Sequence, residues 1–189
     1  MVFSLISLNT VFSQVLNKEL VFIFSKENGN IFQSEKLNHL NFYIFDVLNE
    51  QQINDLAKNI KSNNKVTNFT ISNEENNNQR KASIDFSEQI DIKYFKSLLI
   101  ANNIKGIIIN NKYCFVQHID NDNYYNVNYQ NNTVEWYDKR IEDILTKVYW
   151  VKQNTEEFNK ATDNGWFQQA NNALKKTEAE REFFLNSKK

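Results

Sequence analysis

Apolar residues recur with two different spacings along the central part of the chain. Runs in which every second residue is apolar predict strands, and runs with apolar residues at intervals of three and four predict helices. The predicted strands are residues 41–47, 65–71, 81–86 and 107–109. The predicted helices are residues 49–62 and 91–103. In chain order the central segment is therefore strand, helix, strand, strand, helix, strand.

Local signals support several of these elements. Asn49 stands three residues before a glutamine, the spacing of a capping box, so we expect it to begin the first helix. The helical spacing places Leu56 on the apolar face, and the strand alternation places Ile84 on the buried face of its strand. The polar stretch Ser72–Arg80 is interpreted as a turn that makes a β-hairpin of the two middle strands.

The order of elements predicts an α+β fold. It is the split β-α-β order of a ferredoxin-like βαββαβ sandwich, here with an N-terminal hairpin and a C-terminal helical extension. The segment resembles the heavy-metal-associated domain family, whose members are small modules of the copper-chaperone type. That family's CxxC metal motif would fall at residues 47–52, which read VLNEQQ. Because no thiolate stands there, the resemblance implies the topology without the metal site, and we expect no metal and no cofactor.

The flanking segments carry their own signals. A hairpin is predicted at residues 20–33, where Asn28-Gly29-Asn30 separates two apolar runs. Past the module we predict a strand at Tyr113–Ile119, helices at Val134–Lys152 and Trp166–Leu185, and a break at Asp163–Gly165. The predicted domains are a signal segment at 1–13, the hairpin at 14–38, the ferredoxin-like module at 39–111 and the strand and helical extension at 112–189.

The strand at residues 41–47 is apolar on both faces, since Phe42 and Ile44 point one way while Tyr43 and Phe45 point the other. A four-stranded module with two helices covers only one face of its sheet. We therefore expect the second face to be apolar and covered, with the first C-terminal helix folded back over it and the final helix as the partner-binding element. The alternative is that a partner or a second copy of the chain covers this face.

The N-terminal segment Met1–Phe12 is apolar and uncharged, and it is shorter than the ~20 residues that a membrane-spanning helix needs. Its pattern favours a signal peptide cleaved after Ser13. The expected location is then the periplasm or the extracellular space, with no integral membrane segment. The alternative is that this segment is a buried strand.

The charge balance bears on the class of partner. The 189 residues include 22 Lys and Arg against 23 Asp and Glu, for a formal net charge of -1. The chain thus lacks the excess of cations that drives binding to phosphate backbones. We expect no nucleic-acid partner.

Residues that could bind metal are few and poorly spaced. Cys114 is the single cysteine, so an intramolecular disulfide is impossible. In a continuous strand Cys114 and His118 would lie about 13 Å apart, too far to share an ion, and we expect Cys114 to pack in the core. Asp120–Asn123 begins like a calcium loop, but tyrosine stands where the loop needs glycine.

A stretch rich in tyrosine and asparagine provides the candidate ligand-binding residues. Flat aromatic rings beside amide donors and acceptors can stack on sugar rings or on peptide side chains. The candidates are Tyr124, Tyr125, Tyr129, Trp136 and Tyr137. The alternative is that these rings complete the core.

The sequence contains no G-x-S-x-G motif, no glycine-rich phosphate loop and no second thiol, so no catalytic residue is predicted. We expect an exported, non-enzymatic binding protein with a protein or glycan partner. Two alternatives stay open. One is an enzyme whose site is assembled from scattered polar residues, with His118 and Asp120 converging in a crevice. The other is a glycan- or peptide-binding module with an aromatic surface.

Overall fold

The computed structural model describes residues 20–24, 37–45, 49–76, 79–121, 124–125, 129–130 and 132–187. These residues belong to two compact units, which we call the sheet unit (residues 20–130) and the helical unit (residues 132–187). Strands and helices are both abundant, so the predicted α+β class is confirmed. The predicted signal segment at residues 1–13 lies outside the described residues.

The sheet unit contains six strands, two α-helices and one 3-10 helix among its described residues. They are β1 (Val21–Phe24), β2 (Leu37–Phe45), α1 (Glu50–Lys61), β3 (Val66–Asn76), β4 (Gln79–Ile90), α2 (Ile92–Ala101), β5 (Gly106–Ile109), β6 (Lys112–Phe115) and the 3-10 helix Val116–His118. The described part of the helical unit contains α3 (Val134–Gln153), α4 (Thr155–Asp163) and α5 (Trp166–Ser187).

The six strands form one mixed sheet in the order β3-β4-β2-β1-β5-β6. Strand β4 lies between β2 and β3 and is antiparallel to both, which is the split arrangement predicted for the first crossover. A ferredoxin-like sheet would place β5 next to β2. Here β1 lies between them, antiparallel to β2 and parallel to β5, so the strand order does not confirm a ferredoxin-like arrangement.

The pairing of β1 also differs from the predicted N-terminal hairpin. The turn chemistry around Gly29 favoured a partner at residues 31–33. In the structure both edges of β1 are occupied, one by Tyr43–Phe45 of β2 and the other by β5. Residues 25–36, which include the predicted turn, lie outside the described residues.

Helices α1 and α2 cover one face of the sheet, and the local signals explain where they begin. Asn49 forms the predicted capping box with Gln52, and the Asp91 side chain accepts a hydrogen bond from the Tyr94 backbone at the start of α2. Leu56 of α1 is buried in the same cluster as the strand residues of this face. The cluster includes Phe22, Phe42, Ile44, Phe69, Ala82, Ile84, Phe86, Phe95, Leu99 and Ile107.

Two predicted boundaries are wrong. The polar stretch Ser72–Arg80 is strand over most of its length, because pairs such as Glu75 with Arg80 continue the ladder beyond the apolar core. The strand predicted to reach Ile119 ends at Phe115 and gives way to the 3-10 helix. Residues three apart lie on one side of a 3-10 helix, so this change buries both Val116 and Ile119 in the core.

The second face of the sheet is divided into an apolar half and a polar half. Along β1 and its neighbours the side chains on this face are buried, including Val21, Ile23, Phe45 and Ile108. Along β2, β4 and β3 the same face carries polar residues, including His39, Asn41, Asn68, Thr70, Ser83 and Asp85. The predicted apolar second face is therefore found only in the half next to β1.

In the helical unit, polar caps set the lengths of the helices. Thr133 caps α3, and Asn154 both ends α3 and caps α4. The helix predicted to end at Lys152 ends one residue later, at Gln153. The predicted break at Asp163–Gly165 is confirmed, with Gly165 at a φ of 71°. An apolar cluster of Val148, Val151, Ala161 and Phe167 joins the three helices. None of the helices in the described ranges is long and apolar enough to cross a membrane.

The buried face of β4 provides a test of the sheet unit. We expect Ile84→Asp to unfold it, because the side chain is 2% exposed and burying an unpaired carboxylate costs several kcal/mol. Total stabilities are only about 5–15 kcal/mol. Gln89→Asp places the same residue at an exposed position of the same strand and should leave the thermal midpoint nearly unchanged. Equal melting of the two variants would show that the assigned faces of β4 are wrong.

Candidate ligand-binding groove

The five aromatic candidates from the sequence fall in two different units. Tyr124, Tyr125 and Tyr129 belong to the sheet unit, whereas Trp136 and Tyr137 belong to the first two turns of α3 in the helical unit. The structure therefore describes two aromatic clusters, one in each unit.

In the sheet unit, Tyr124 is the centre of the cluster. Its ring stacks on His118 with 3.8 Å between centroids and 8° between planes. Tyr125 meets it edge-on at 4.9 Å, and Tyr129 lies 5.8 Å away. Tyr124 is fully buried, so it completes the core and presents no face to a ligand, while Tyr125 is 41% exposed.

An ion pair holds this cluster against α2. The Lys96 ammonium donates hydrogen bonds to the Asp120 carboxylate and to the Gln117 backbone carbonyl, both at 2.6 Å. Both charged side chains are mostly buried, so the pair fixes the segment that carries His118. His118 and Asp120 thus have structural contacts among the described residues.

The helical unit contains an open groove between the start of α3 and the end of α5. Its volume is about 590 Å³. Three aromatic rings dominate it, and polar and charged side chains lie among its other lining residues. The lining residues are Asn132, Tyr137, Lys176, Ala179, Glu180, Phe183, Phe184 and Ser187.

Tyr137 connects the predicted site to this groove. Its ring is buried, lies 6.0 Å from Phe184 and meets Trp136 edge-on at 4.9 Å. Its hydroxyl donates a hydrogen bond to the Asn132 side chain at 3.2 Å, which satisfies the polar end of the ring. Trp136 lies outside the groove lining, under the Arg140 guanidinium at 4.5 Å.

Phe183 is the most exposed large apolar side chain of the described residues, at 77%. It stands beside Phe184 on α5. The ring of Phe184 points toward α3. Successive residues on a helix differ by about 100°, so a Phe-Phe pair directs one ring inward and the other outward. Neither ring was among the candidate residues predicted from the sequence. The sequence feature that could have pointed to them is an aromatic pair directly after a run of charged residues.

A buried ion pair fixes the geometry of the groove. Arg181 Nε donates to Asp138 Oδ1 at 2.5 Å, and the Asp138 side chain is 2% exposed. A carboxylate buried to this degree is costly unless it is paired, so the contact holds α3 and α5 in one alignment. The two residues are sequence neighbours of groove residues, which keeps Tyr137 opposite Phe184.

The polar half of the sheet carries a second candidate site, a group of three hydrogen-bonded side chains. His39 Nδ1 donates to Asp85 Oδ1 at 2.5 Å, and the Asn68 amide donates to Asp85 Oδ2 at 3.2 Å. The His39 hydrogen bond is the larger cause, and the Asn68 bond the smaller, of an Asp85 pKa below the ordinary value. All three side chains are at least partly exposed, so this group forms an open hydrogen-bonding surface.

The structure gives the potential metal ligands ordinary packing roles. Cys114 is buried in the core, as predicted. Within the described part of the chain, no three His, Cys, Asp or Glu side chains are grouped so that they could hold a metal ion.

Comparison of the chain with protein-family models, with curated proteins and with solved structures found no match.

The carboxylate of Asp85 can be tested by titration. We expect its pKa, read from the side-chain carbonyl signal in NMR, to lie below the ordinary value of about 3.9. His39→Ala should raise this pKa toward the ordinary value, and Asn68→Ala should raise it by less, because the histidine bond is the larger cause. A larger shift from the asparagine variant would contradict this ranking.

The direction in which pH changes the stability of the protein through Asp85 follows from the lowered pKa of this residue. The contribution of Asp85 to the free energy of unfolding should be fully present above the pKa of the unfolded residue, about 3.9, and should be lost as the pH falls through the lower pKa of the folded state. The difference in stability between the protein and Asp85→Asn should therefore shrink in acid.

Proposed function

We propose that this chain is an exported, non-enzymatic binding protein whose helical unit holds an apolar segment of a partner polypeptide in the groove between α3 and α5. The observation that carries the proposal is Phe183, a fully projecting ring at the edge of an open groove floored by Tyr137 and Phe184. Large exposed apolar groups next to a concave surface are typical of interaction sites.

The chemistry of the groove favours a polypeptide over a glycan. Sugar rings stack on open aromatic faces that have polar groups at their edges. Tyr137 is buried to 7% exposure, and the exposed ring of Phe183 has no polar atom. Apolar side chains spaced along a partner helix match such a groove better, and Lys176 and Glu180 offer charges of both signs at its wall.

The contacts of the titratable residues support binding over catalysis. Asp120 is paired with Lys96, His118 stacks on Tyr124, and Asp138 is paired with Arg181. Each of these groups contributes to packing or alignment. The side chains of the His39–Asp85–Asn68 group are all at least partly exposed on the sheet face, and they bond to one another.

The proposed location is the periplasm or the extracellular space, and it rests on the apolar pattern of residues 1–13. On the same proposal the sheet unit is a ferredoxin-like arrangement with β1 inserted between its first and last strands. The split pairing of β2, β4 and β3 supports this interpretation. Any relation to heavy-metal-associated domains would then lie in topology alone.

The groove can be tested by filling it. Peptides should be selected from a displayed library on the unmodified protein, and their affinity should be measured by fluorescence anisotropy. Ala179→Trp places a large ring inside the groove and should abolish most of the binding. Gln168→Trp adds the same ring at an exposed position of the same helix and should leave the affinity unchanged.

Selected peptides are expected to carry apolar residues at helical spacing. Phe183→Ser should weaken their binding without lowering the melting temperature, because its side chain is already exposed. Equal affinity of the two tryptophan variants, or a selection without any apolar pattern, would refute the groove as the binding site.

A further inference from the structure

The two ends of the sheet are protected very differently. Strand β6 at one end is four residues long and begins with the exposed Lys112. Short length and lysine are two common devices that prevent an edge strand from pairing with another chain. Strand β3 at the other end spans eleven residues, contains neither lysine nor proline, and has β4 as its single strand neighbour among the described strands.

The middle of β3 is regular, and none of the other described strands pairs with its outer edge. Between two irregularities in its pairing, residues Asn68, Phe69, Thr70 and Ile71 face successive residues of β4 without a break. Thr70 is exposed, and its hydroxyl shares a hydrogen bond of 2.7 Å with Ser83. The outer backbone groups of this stretch can therefore accept a further strand.

We infer that β3 pairs with β3 of a second copy of this chain, antiparallel and centred on Thr70. A twofold axis perpendicular to the sheet keeps like faces together, so each residue pairs with one on the same face. Thr70 then faces Thr70 of the second copy. On the helix-covered face, Phe69 lies opposite the half-buried Ile71.

The residue types favour this pairing. Threonine pairs and aromatic–β-branched pairs are both favourable across antiparallel strands. The antiparallel direction also brings the start of β3, next to Lys65, alongside the end that contains Glu74 and Glu75 of the second copy. Lys65 already contacts Glu88 within its own copy at 2.6 Å, so the basic end is held in place. A parallel pairing would instead place the two acidic ends together.

The register predicts which introduced cysteines can form a cross-link. In Thr70→Cys the two introduced thiols would face each other, with Cβ atoms about 4.5–5.5 Å apart. In Thr67→Cys the corresponding pair would be about 20 Å apart, because each residue lies three positions from the axis. Both positions are exposed, and the native Cys114 is buried, so the unmodified chain serves as the background.

The experiment combines sedimentation with mild oxidation. We expect the unmodified protein to sediment at twice the chain mass of 22.4 kDa, and Thr70→Cys to form a covalent dimer several-fold faster than Thr67→Cys. Thr70→Lys, which adds an edge charge, should shift the protein toward the monomer while its circular dichroism is unchanged. A monomer at all concentrations would overturn the inference. A dimer in which Thr70→Cys does not cross-link, or cross-links no faster than Thr67→Cys, would overturn it as well.

Discussion

Strand β1 joins two pieces of sheet that have no other hydrogen-bonded connection among the described strands. It pairs with β2 on one edge and with β5 on the other, so the three strands β3, β4 and β2 are linked through it to β5 and β6. All four of its side chains are buried, and their burial contributes about 1.5–3 kcal/mol for each large apolar residue. The crossover from β4 through α2 to β5 spans both β2 and β1, which lie between β4 and β5 in the sheet.

The division of the second face follows from the position of β1. Strand β2 pairs with β1 only through Tyr43–Phe45, and in this section its second-face residues are tyrosine and phenylalanine. Further toward its start, beyond its pairing with the described residues of β1, the same face carries His39 and Asn41. The second-face residues of β2 therefore change from polar to apolar at the point where its observed pairing with β1 begins. The polar half contains the Asp85 hydrogen-bonding group. It also includes β3, the first strand in the sheet order.

The sequence allowed most elements of the sheet unit to be predicted, because alternation and caps are local signals. Asn49, Leu56 and Ile84 occupy the predicted cap and faces. The position of β1 could not be predicted, since alternation specifies which face a residue occupies but not which strand lies beside it. The run VFIF at residues 21–24 is apolar throughout, a pattern typical of a strand buried on both faces, yet its partner β5 begins at Gly106, far along the chain.

The candidate groove was only partly visible in the sequence. Tyr137 was identified from its aromatic neighbourhood, but its contact with Phe184 depends on the antiparallel packing of α3 and α5. That packing is fixed by Asp138 and Arg181, which are 43 residues apart. In the same way, His39 and Asp85 are 46 residues apart and meet only because β2 and β4 are neighbours. Long-range pairs of this kind leave no periodic signal.

Amide hydrogen exchange of β1 tests most directly whether this strand holds the sheet together. We expect the amides of Phe22 and Ile23 to exchange only through global unfolding, with the same free energy as the amide of Ile44 in β2. Exchange of the β1 amides at a clearly lower free energy than that of Ile44 would contradict it, because β1 would then open without disrupting the rest of the sheet.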